Sequence, residues 1–225
     1  NDENIYLKST DKTRVTVGPS ESMSKSKKNV VDPEKMITTY GADSVRWFIL
    51  SDSPPDKDVQ WSNQGVSAAY KFLQKIYNLN NLILHRKDMQ DYKDEEFKIK
   101  FNDYIVKITK LIENLNLNVV VANIYSIYSL FIDYEQRDVS NKCLKKNFVN
   151  LLKILIPFTP HLANECLEQH DKTEVDEWPK PDSKLILNNK IKIAVQINGK
   201  TREIIEVEKD LDEKNVINES KNNKK

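Results

Sequence analysis

The sequence predicts a mainly α-helical fold, a helical bundle followed by a short strand-bearing segment. Three observations predict it. Between residues 62 and 167, apolar residues recur at three-to-four spacing in five successive stretches. Those stretches open and close on helix signals: Asp32-Pro33, Ser62, Asp94-Glu95-Glu96 and Thr159-Pro160 as starts, Gly41, Pro54-Pro55 and Pro157 as stops. From residue 191 the period changes to two, around an Asn198-Gly199 pair that suits a type I′ turn.

In order, residues 4 to 17 alternate weakly and read as a short hairpin, which Gly18-Pro19-Ser20 interrupts. Residues 20 to 29 are rich in Ser and Lys without core periodicity, an exposed loop. Asp32 caps and Pro33 opens a short helix with Met36, Ile37 and Tyr40 on its apolar side. Asp43 is placed to cap the next helix, which packs through Val45, Trp47, Phe48 and Leu50. After Ser62, an apolar stripe runs through Val66, Ala69, Tyr70, Leu73, Ile76 and Tyr77, and His85, Arg86 and Lys87 sit where cations favour a helix end. The clearest amphipathic face is Phe97, Phe101, Tyr104, Ile105, Ile108, Leu111, Ile112 and Leu115. Residues 118 to 135 are apolar on most sides, which predicts a central helix. Leu144, Phe148, Leu151, Leu152 and Leu155 form a fourth stripe, and Ala163, Cys166 and Leu167 a fifth, shorter one. Residues 171 to 190, with Trp178-Pro179, read as a linker. Ile191, Ile193, Val195 and Ile197 alternate in a first strand, Arg202 to Val207 return in a second, and Asp212 is placed to cap a final helix.

Composition limits the function classes. The chain has 225 residues, 39% hydrophobic and 31% charged, as expected of a globular protein with one large or two modest domains. A formal net charge of +1 gives no whole-chain argument for nucleic acid, so RNA contact would have to come from local basic patches. Cys143 and Cys166 lack metal-ligand spacing and suit a reducing cytoplasmic setting. No apolar run reaches about 18 residues, so no membrane span is expected. The polar start at Asn1 and the polar finish at Lys225 are those expected of an internal or C-terminal piece of a longer protein.

The segment from Ser22 to Asn29 carries the candidate chemistry. Lys25, Lys27 and Lys28, interleaved with hydroxyls, can neutralise a polyphosphate, and an ammonium group there stabilises charge that develops as pyrophosphate departs. Ser24 and Ser26 can bond phosphate oxygens or hold the loop. On composition alone, a solvated linker with chance lysines and serines is the simpler reading.

Met23-Ser24-Lys25-Ser26, with Asn29-Val30-Val31-Asp32-Pro33 after it, resembles the second signature of class I aminoacyl-tRNA synthetases. Tyr40-Gly41-Ala42-Asp43-Ser44-Val45-Arg46 resembles the family's helix just beyond that loop. Pro54-Pro55-Asp56-Lys57-Asp58, Gln60-Trp61-Ser62-Asn63-Gln64-Gly65-Val66 and Ala69-Tyr70-Lys71-Phe72-Leu73 are similar to the leucine enzymes of bacterial and organellar type. So are Pro157-Phe158-Thr159-Pro160-His161-Leu162-Ala163 and Val195-Gln196-Ile197-Asn198-Gly199-Lys200-Thr201-Arg202. The resemblance runs from residue 14 to 210, and between 88 and 150 it rests on the helical pattern alone.

The resemblance implies a Rossmann-type catalytic domain ending at residues 1–31 with its mobile loop, connecting helices over 32–60, and an anticodon-binding-type bundle over 61–170. A linker over 171–190 and part of a C-terminal α/β domain over 191–225 complete this division. It implies that Met23, Ser24, Lys25 and Ser26 meet ATP, accompanied by Mg2+, and that Lys25 is the catalytic cation. Ser22 stands where the family motif has a lysine, which questions a cation at that position, although Lys27 and Lys28 are near enough to compensate. The implied reaction joins leucine to ATP and passes it to tRNA(Leu) in protein synthesis. The implied protein is a cytoplasmic, monomeric enzyme of a family that also edits. Lacking a His-x-Gly-His segment, the isolated chain is expected to be inactive. Lys27, Lys28, Lys200 and Arg202 are the candidate tRNA contacts, and Lys190 and Lys192 flank the same hairpin; a solvated strand edge explains the hairpin cations equally well. Asp43 and Arg46 read as a helix cap and a surface cation. His161 has no partners at ligand spacing, so no metal site is assigned. The alternatives are a valine or isoleucine enzyme of the same class and a stand-alone helical tRNA-binding module.

Overall fold

The computed structural model describes residues 18–87, 94–137, 139–170, 177–185, 190–197, 200–208 and 215–217. The expected hairpin at 4–17, the turn at 198–199 and the cap at Asp212 lie outside them. Seven helices come first: α1 (Pro33–Tyr40), α2 (Ala42–Asp52), α3 (Asn63–His85), α4 (Asp94–Glu113), α5 (Leu117–Glu135), α6 (Asn141–Leu155) and α7 (Pro160–Gln169). A 3-10 turn at Ser183–Leu185 precedes strands β1 (Lys190–Ile197) and β2 (Lys200–Glu208).

The starts follow local chemistry. The Asp32 carboxylate accepts from the Glu34 amide, and Pro33 occupies the first turn of α1. Ser62 accepts from the Gly65 amide to open α3. Gly65 is also a close-approach position: a Cβ there would lie 2.5 Å from the Phe48 ring. Ser140 accepts from the Cys143 amide to open α6, and Asp94 accepts from both the amide and the hydroxyl of Ser140.

The core lies between α2 and α7. Trp47, Phe72, Ile76, Phe97, Phe101, Ile124, Phe131, Phe148, Leu152 and Phe158 are among its buried members. Buried polar groups are matched: Asn80 donates to Gln169 Oε1 at 2.6 Å, and its Oδ1 lies 2.9 Å from His170 Nε2. Glu96 accepts from the Tyr134 hydroxyl and the Lys100 ammonium, which hold its carboxyl down at about 2. Burial pushes the Cys143 thiol up to about 11 and the Cys166 thiol to about 12, and both are free thiols.

Several expectations need correction. The stripe of α3 is rotated: Phe72, Leu79 and Ile83 are buried, whereas Tyr70 and Tyr77 are exposed. Two aromatic rings of different polarity compete for the core, and the phenol stays where its hydroxyl reaches water. In α1, Ile37 is exposed and none of the helix is buried. Leu115 is not the last member of the α4 face. It is the left-handed residue (φ 56°) of a Schellman turn, in which Asn116 N donates to Leu111 O and Leu115 N to Ile112 O.

Helix α5 is not enclosed. Val120, Val121, Ile124, Ile127 and Phe131 face the core, but Val119 and Tyr125 are exposed. By length and composition α5 would pass for a membrane-crossing helix, because its polar residues are mostly Asn, Ser and Tyr; its buried face makes it a bundle helix. Part of the expected linker is docked. Asn102 donates to Asp182 O and accepts from Asp182 N, Trp178 Nε1 donates to Thr109 Oγ1, and Pro179 is buried.

The strands pair antiparallel, with Ile193 opposite Ile205 and Ile197 opposite Lys200. That register leaves two residues for the connection, as the Asn-Gly signal requires. Ile205 and Val207 are buried and Ile204 points the other way, 63% exposed. Among the described residues the chain is thus mainly α, a helical bundle with a two-stranded sheet after it.

Candidate functional site

The loop from Gly18 to Val31 is exposed along nearly its whole length and holds its shape by its own bonds. Lys28 N donates to Lys25 O at 3.2 Å, closing a turn in which Lys28 takes the left-handed conformation (φ 54°). Asn29 clasps the turn from below: its Oδ1 accepts from Ser24 N at 2.8 Å, and its Nδ2 donates to Ser22 O at 3.3 Å. Ser24 Oγ accepts from Lys27 N and shares a hydrogen with Ser26 Oγ at 3.1 Å. Lys27 is ion-paired with Glu21. Sequence reading allowed Ser24 and Ser26 either a phosphate role or a holding role; in this conformation they hold the loop.

Lys25 differs from Lys27 and resembles Lys28 in its side chain, and its place in the Met23–Ser26 motif sets it apart. Among the described residues its ammonium has no hydrogen-bond or ion-pair partner, while its carbonyl is fixed by the turn. Met23 beside it is 45% exposed. An unpaired cation on a fixed backbone, flanked by hydroxyls, is suited to meeting an anion that arrives from outside. Ser20, Met23, Lys27 and Asn29 form one wall of an open groove of about 850 Å³, and Asp58, Gln60 and Trp61 form the other. Trp61 is fixed there by an edge-on contact with Phe48 and a bond to Asn63 Oδ1. The structure therefore brings the loop motif and the Gln60-Trp61 segment together, although 30-odd residues separate them.

Behind the loop, α1 leads to Gly41 (φ 80°, ψ 153°), which turns the chain into α2. Here two sequence expectations are corrected. Asp43 does not cap its own helix: Gly41 is the cap residue of α2, with no side-chain bond. Asp43 is 7% exposed, and its carboxylate accepts from Leu162 N at 2.8 Å and meets His161 Nδ1 at 2.9 Å. It caps α7, whose own Thr159 turns its hydroxyl back to Leu155 O. Arg46 is not a free surface cation either. Its guanidinium donates to Pro157 O at 2.6 Å and Phe158 O at 3.2 Å, carbonyls of the turn that follows α6. A carboxylate at a helix start and a guanidinium just past a helix end both match the helix dipoles.

Arg86 behaves similarly. It stands at the end of its own helix, as expected, and its guanidinium reaches further: it donates to the carbonyls of Glu135, Arg137 and Val139 and to Asn141 Oδ1, clamping the α5–α6 turn. No sequence signal marks such partners, which lie 49 to 55 positions away. Sequence reading also missed a second groove, about 470 Å³, where the exposed Tyr70 and Tyr77 face Tyr40, Gln74 and Leu162.

Of the candidate RNA contacts, Lys27 is engaged with Glu21, and Lys28 is exposed beside the turn. Lys200 opens β2, and Arg202 is the extra residue of a bulge between the Val195–Glu203 and Gln196–Thr201 pairs. Among the described residues no cluster of three metal-ligating side chains occurs.

An exposed Lys-Ser loop is thus joined through two short helices to a helical bundle. Residues 94–217 match the family model described as the anticodon-binding domain of tRNA ligase, and residues 14–62 match that of tRNA synthetases class I (I, L, M and V). The chain belongs to the family of the tRNA-ligase anticodon-binding domain. Curated leucine–tRNA ligases are among the relatives it matches. That of Neorickettsia sennetsu is 36% identical over 212 residues, covering 92% of this chain and 25% of the relative. That of Orientia tsutsugamushi is 40% identical over 196 residues, covering 84% and 23%. The chain thus spans about a quarter of the length of these relatives. Among solved structures, the LeuRS of Agrobacterium radiobacter K84, in a ternary complex with tRNA and LeuAMS, superposes with a TM-score of 0.70 at 25% identity. That match covers 88% of this chain and 27% of the other.

Proposed function

We propose that this chain serves a leucine–tRNA ligase, supplying the mobile ATP-side loop and the bundle that holds tRNA(Leu). The observation that carries the reading is the clasped Met23–Ser26 turn with its unpaired Lys25 ammonium, in a loop whose Met23 and Lys27 share a groove with Trp61 and in a chain similar to curated leucine enzymes. In activation, a leucine carboxylate oxygen attacks the α-phosphorus of ATP. The bond to the β-phosphate oxygen breaks, and leucyl-adenylate and pyrophosphate form. Lys25 stabilises the negative charge that grows on the departing pyrophosphate. Met23, Ser24 and Ser26 shape the loop around the nucleotide. Magnesium travels with the ATP polyphosphate, and no residue described here is assigned to it.

The loop belongs to the catalytic part, residues 32–60 connect it, and 61–170 form the tRNA-holding bundle. Transfer to the terminal adenosine of tRNA then needs the RNA body seated on the bundle. Lys27, Lys28, Lys200 and Arg202 are proposed phosphate contacts, which position the RNA without reading sequence. The whole enzyme is proposed to be cytoplasmic and monomeric. The test is amino-acid-dependent ATP–pyrophosphate exchange by the full-length protein. Leucine should drive it and valine and isoleucine should not; exchange driven by valine or isoleucine overturns the assignment.

A further inference from the structure

We infer that Asp43 and Arg46 are positioning residues for the transfer step, keying the helix behind the catalytic loop to the bundle that holds tRNA. The inference rests on the leucine–tRNA ligase reading above and adds a role for two residues that touch no substrate.

The geometry is specific. Asp43 and Arg46 lie three residues apart on one face of α2. They grip opposite sides of one elbow, the α6–α7 turn, 111 to 119 positions downstream. Asp43 satisfies the amide of Leu162 at the start of α7, and Arg46 satisfies Pro157 O and Phe158 O in the turn after α6. Each is a charge-assisted bond, and Asp43 makes its bonds in a buried setting where a misaligned carboxylate is costly. Trp47 sits beside them, fully buried, with its ring edge-on to Phe158. The other side of the link is loose by comparison. Helix α1 has no buried residue, and it joins α2 through Gly41 in a conformation that side-chain-bearing residues rarely adopt. Motion of the loop is therefore taken up at α1 and Gly41, while α2 keeps its register on the bundle. The Gly41 hinge, from which α1 and the loop extend, is held in a fixed place relative to any RNA seated on the bundle.

This predicts a split between the two half-reactions. Activation needs only the loop and the nucleotide pocket. Transfer also needs the bundle, and hence the tRNA end, in register with the catalytic centre, where small misplacements are costly to rate.

The test uses the full-length enzyme with Asp43→Asn, Arg46→Met and Arg46→Lys, each normalised to active sites by a single-turnover adenylate burst. For Asp43→Asn and Arg46→Met, the expected aminoacylation kcat is about 10- to 100-fold lower. The KM for tRNA and the tRNA-free pyrophosphate exchange should stay within about twofold of wild type, and Arg46→Lys, which keeps a donor for one carbonyl, should recover part of the loss. Equal losses in both half-reactions would mean a merely structural role and overturn the inference. So would no loss in either, or a rise in tRNA KM alone. If Asp43→Asn does not fold, Arg46→Met and Arg46→Lys decide alone. A wild-type enzyme without leucine-dependent exchange overturns the reading beneath; a wild type that exchanges, with variants that do not split, overturns only the positioning role.

Discussion

The bundle and the loop are held by different means. In the bundle, helix ends are tied by side chains from distant elements: Asp43 on α7, Arg46 on the turn after α6, Arg86 on the α5–α6 turn and Asp94 on Ser140. Its core is continuous from Trp47 to Leu167. Among the described residues the loop is tied only to itself, by Asn29, Ser24, Ser26 and the Glu21–Lys27 pair, each bond spanning at most seven positions. Short-range bonds between exposed groups are worth little each and exchange readily with water. The bundle is built to keep one arrangement, whereas the loop can change partners at low cost. That contrast suits a protein in which one part holds a large ligand and the other meets a small, transient one.

The contrast can be broken from either side. The largest effect is expected for Trp47→Ala. The ring is fully buried against Phe72, Tyr125 and Phe158, so urea unfolding should show a loss of about 3–5 kcal/mol. A loss below about 1 kcal/mol would mean that α2 is not part of the core. Next is Lys25→Ala in the full-length enzyme. Leucine activation should fall about 100- to 1,000-fold, with leucine binding and thermal unfolding nearly unchanged. An unchanged activation rate would remove Lys25 from the chemistry. The smallest effect sharpens the comparison within the bundle. Leu115→Gly should raise stability by about 0.5–1 kcal/mol, because a left-handed Leu, 62% exposed, is relieved of strain. Equilibrium unfolding would read the gain, and a destabilised variant would show that the Leu115 side chain packs usefully.

How much was legible in the sequence follows the range of the interactions. Local signals carried through: Asp32 and Ser62 as caps, Pro157 as a stop, the two-residue strand connection and the α4 and α6 stripes. The phase of the α3 stripe did not, because Tyr70 and Phe72 are both plausible core residues by spacing. Only the packed partners of Phe72, namely Trp47 and Tyr125, decide between them. Charged residues were read as local caps or solvent-facing cations, since their true partners are backbone atoms far along the chain. Of the candidate site, the loop and Lys25 were visible as a motif. The opposing wall at Gln60 and Trp61 became part of the site only through folding.

The long-range cap has a further consequence for the order in which the chain can fold. Helix α7 has ten residues, too few to persist alone in water. Its amide donor and the carboxylate that receives it are separated by 119 positions. During synthesis, Asp43 emerges long before Leu162 and stays hydrated until its partner exists, because burying it earlier would strand a charge. The bond between Asp43 and Leu162 is therefore a late event, which forms only after α6 and α7 have been made. The helix behind the Lys-Ser loop is thus made well before the bond that ties it to α7 can form.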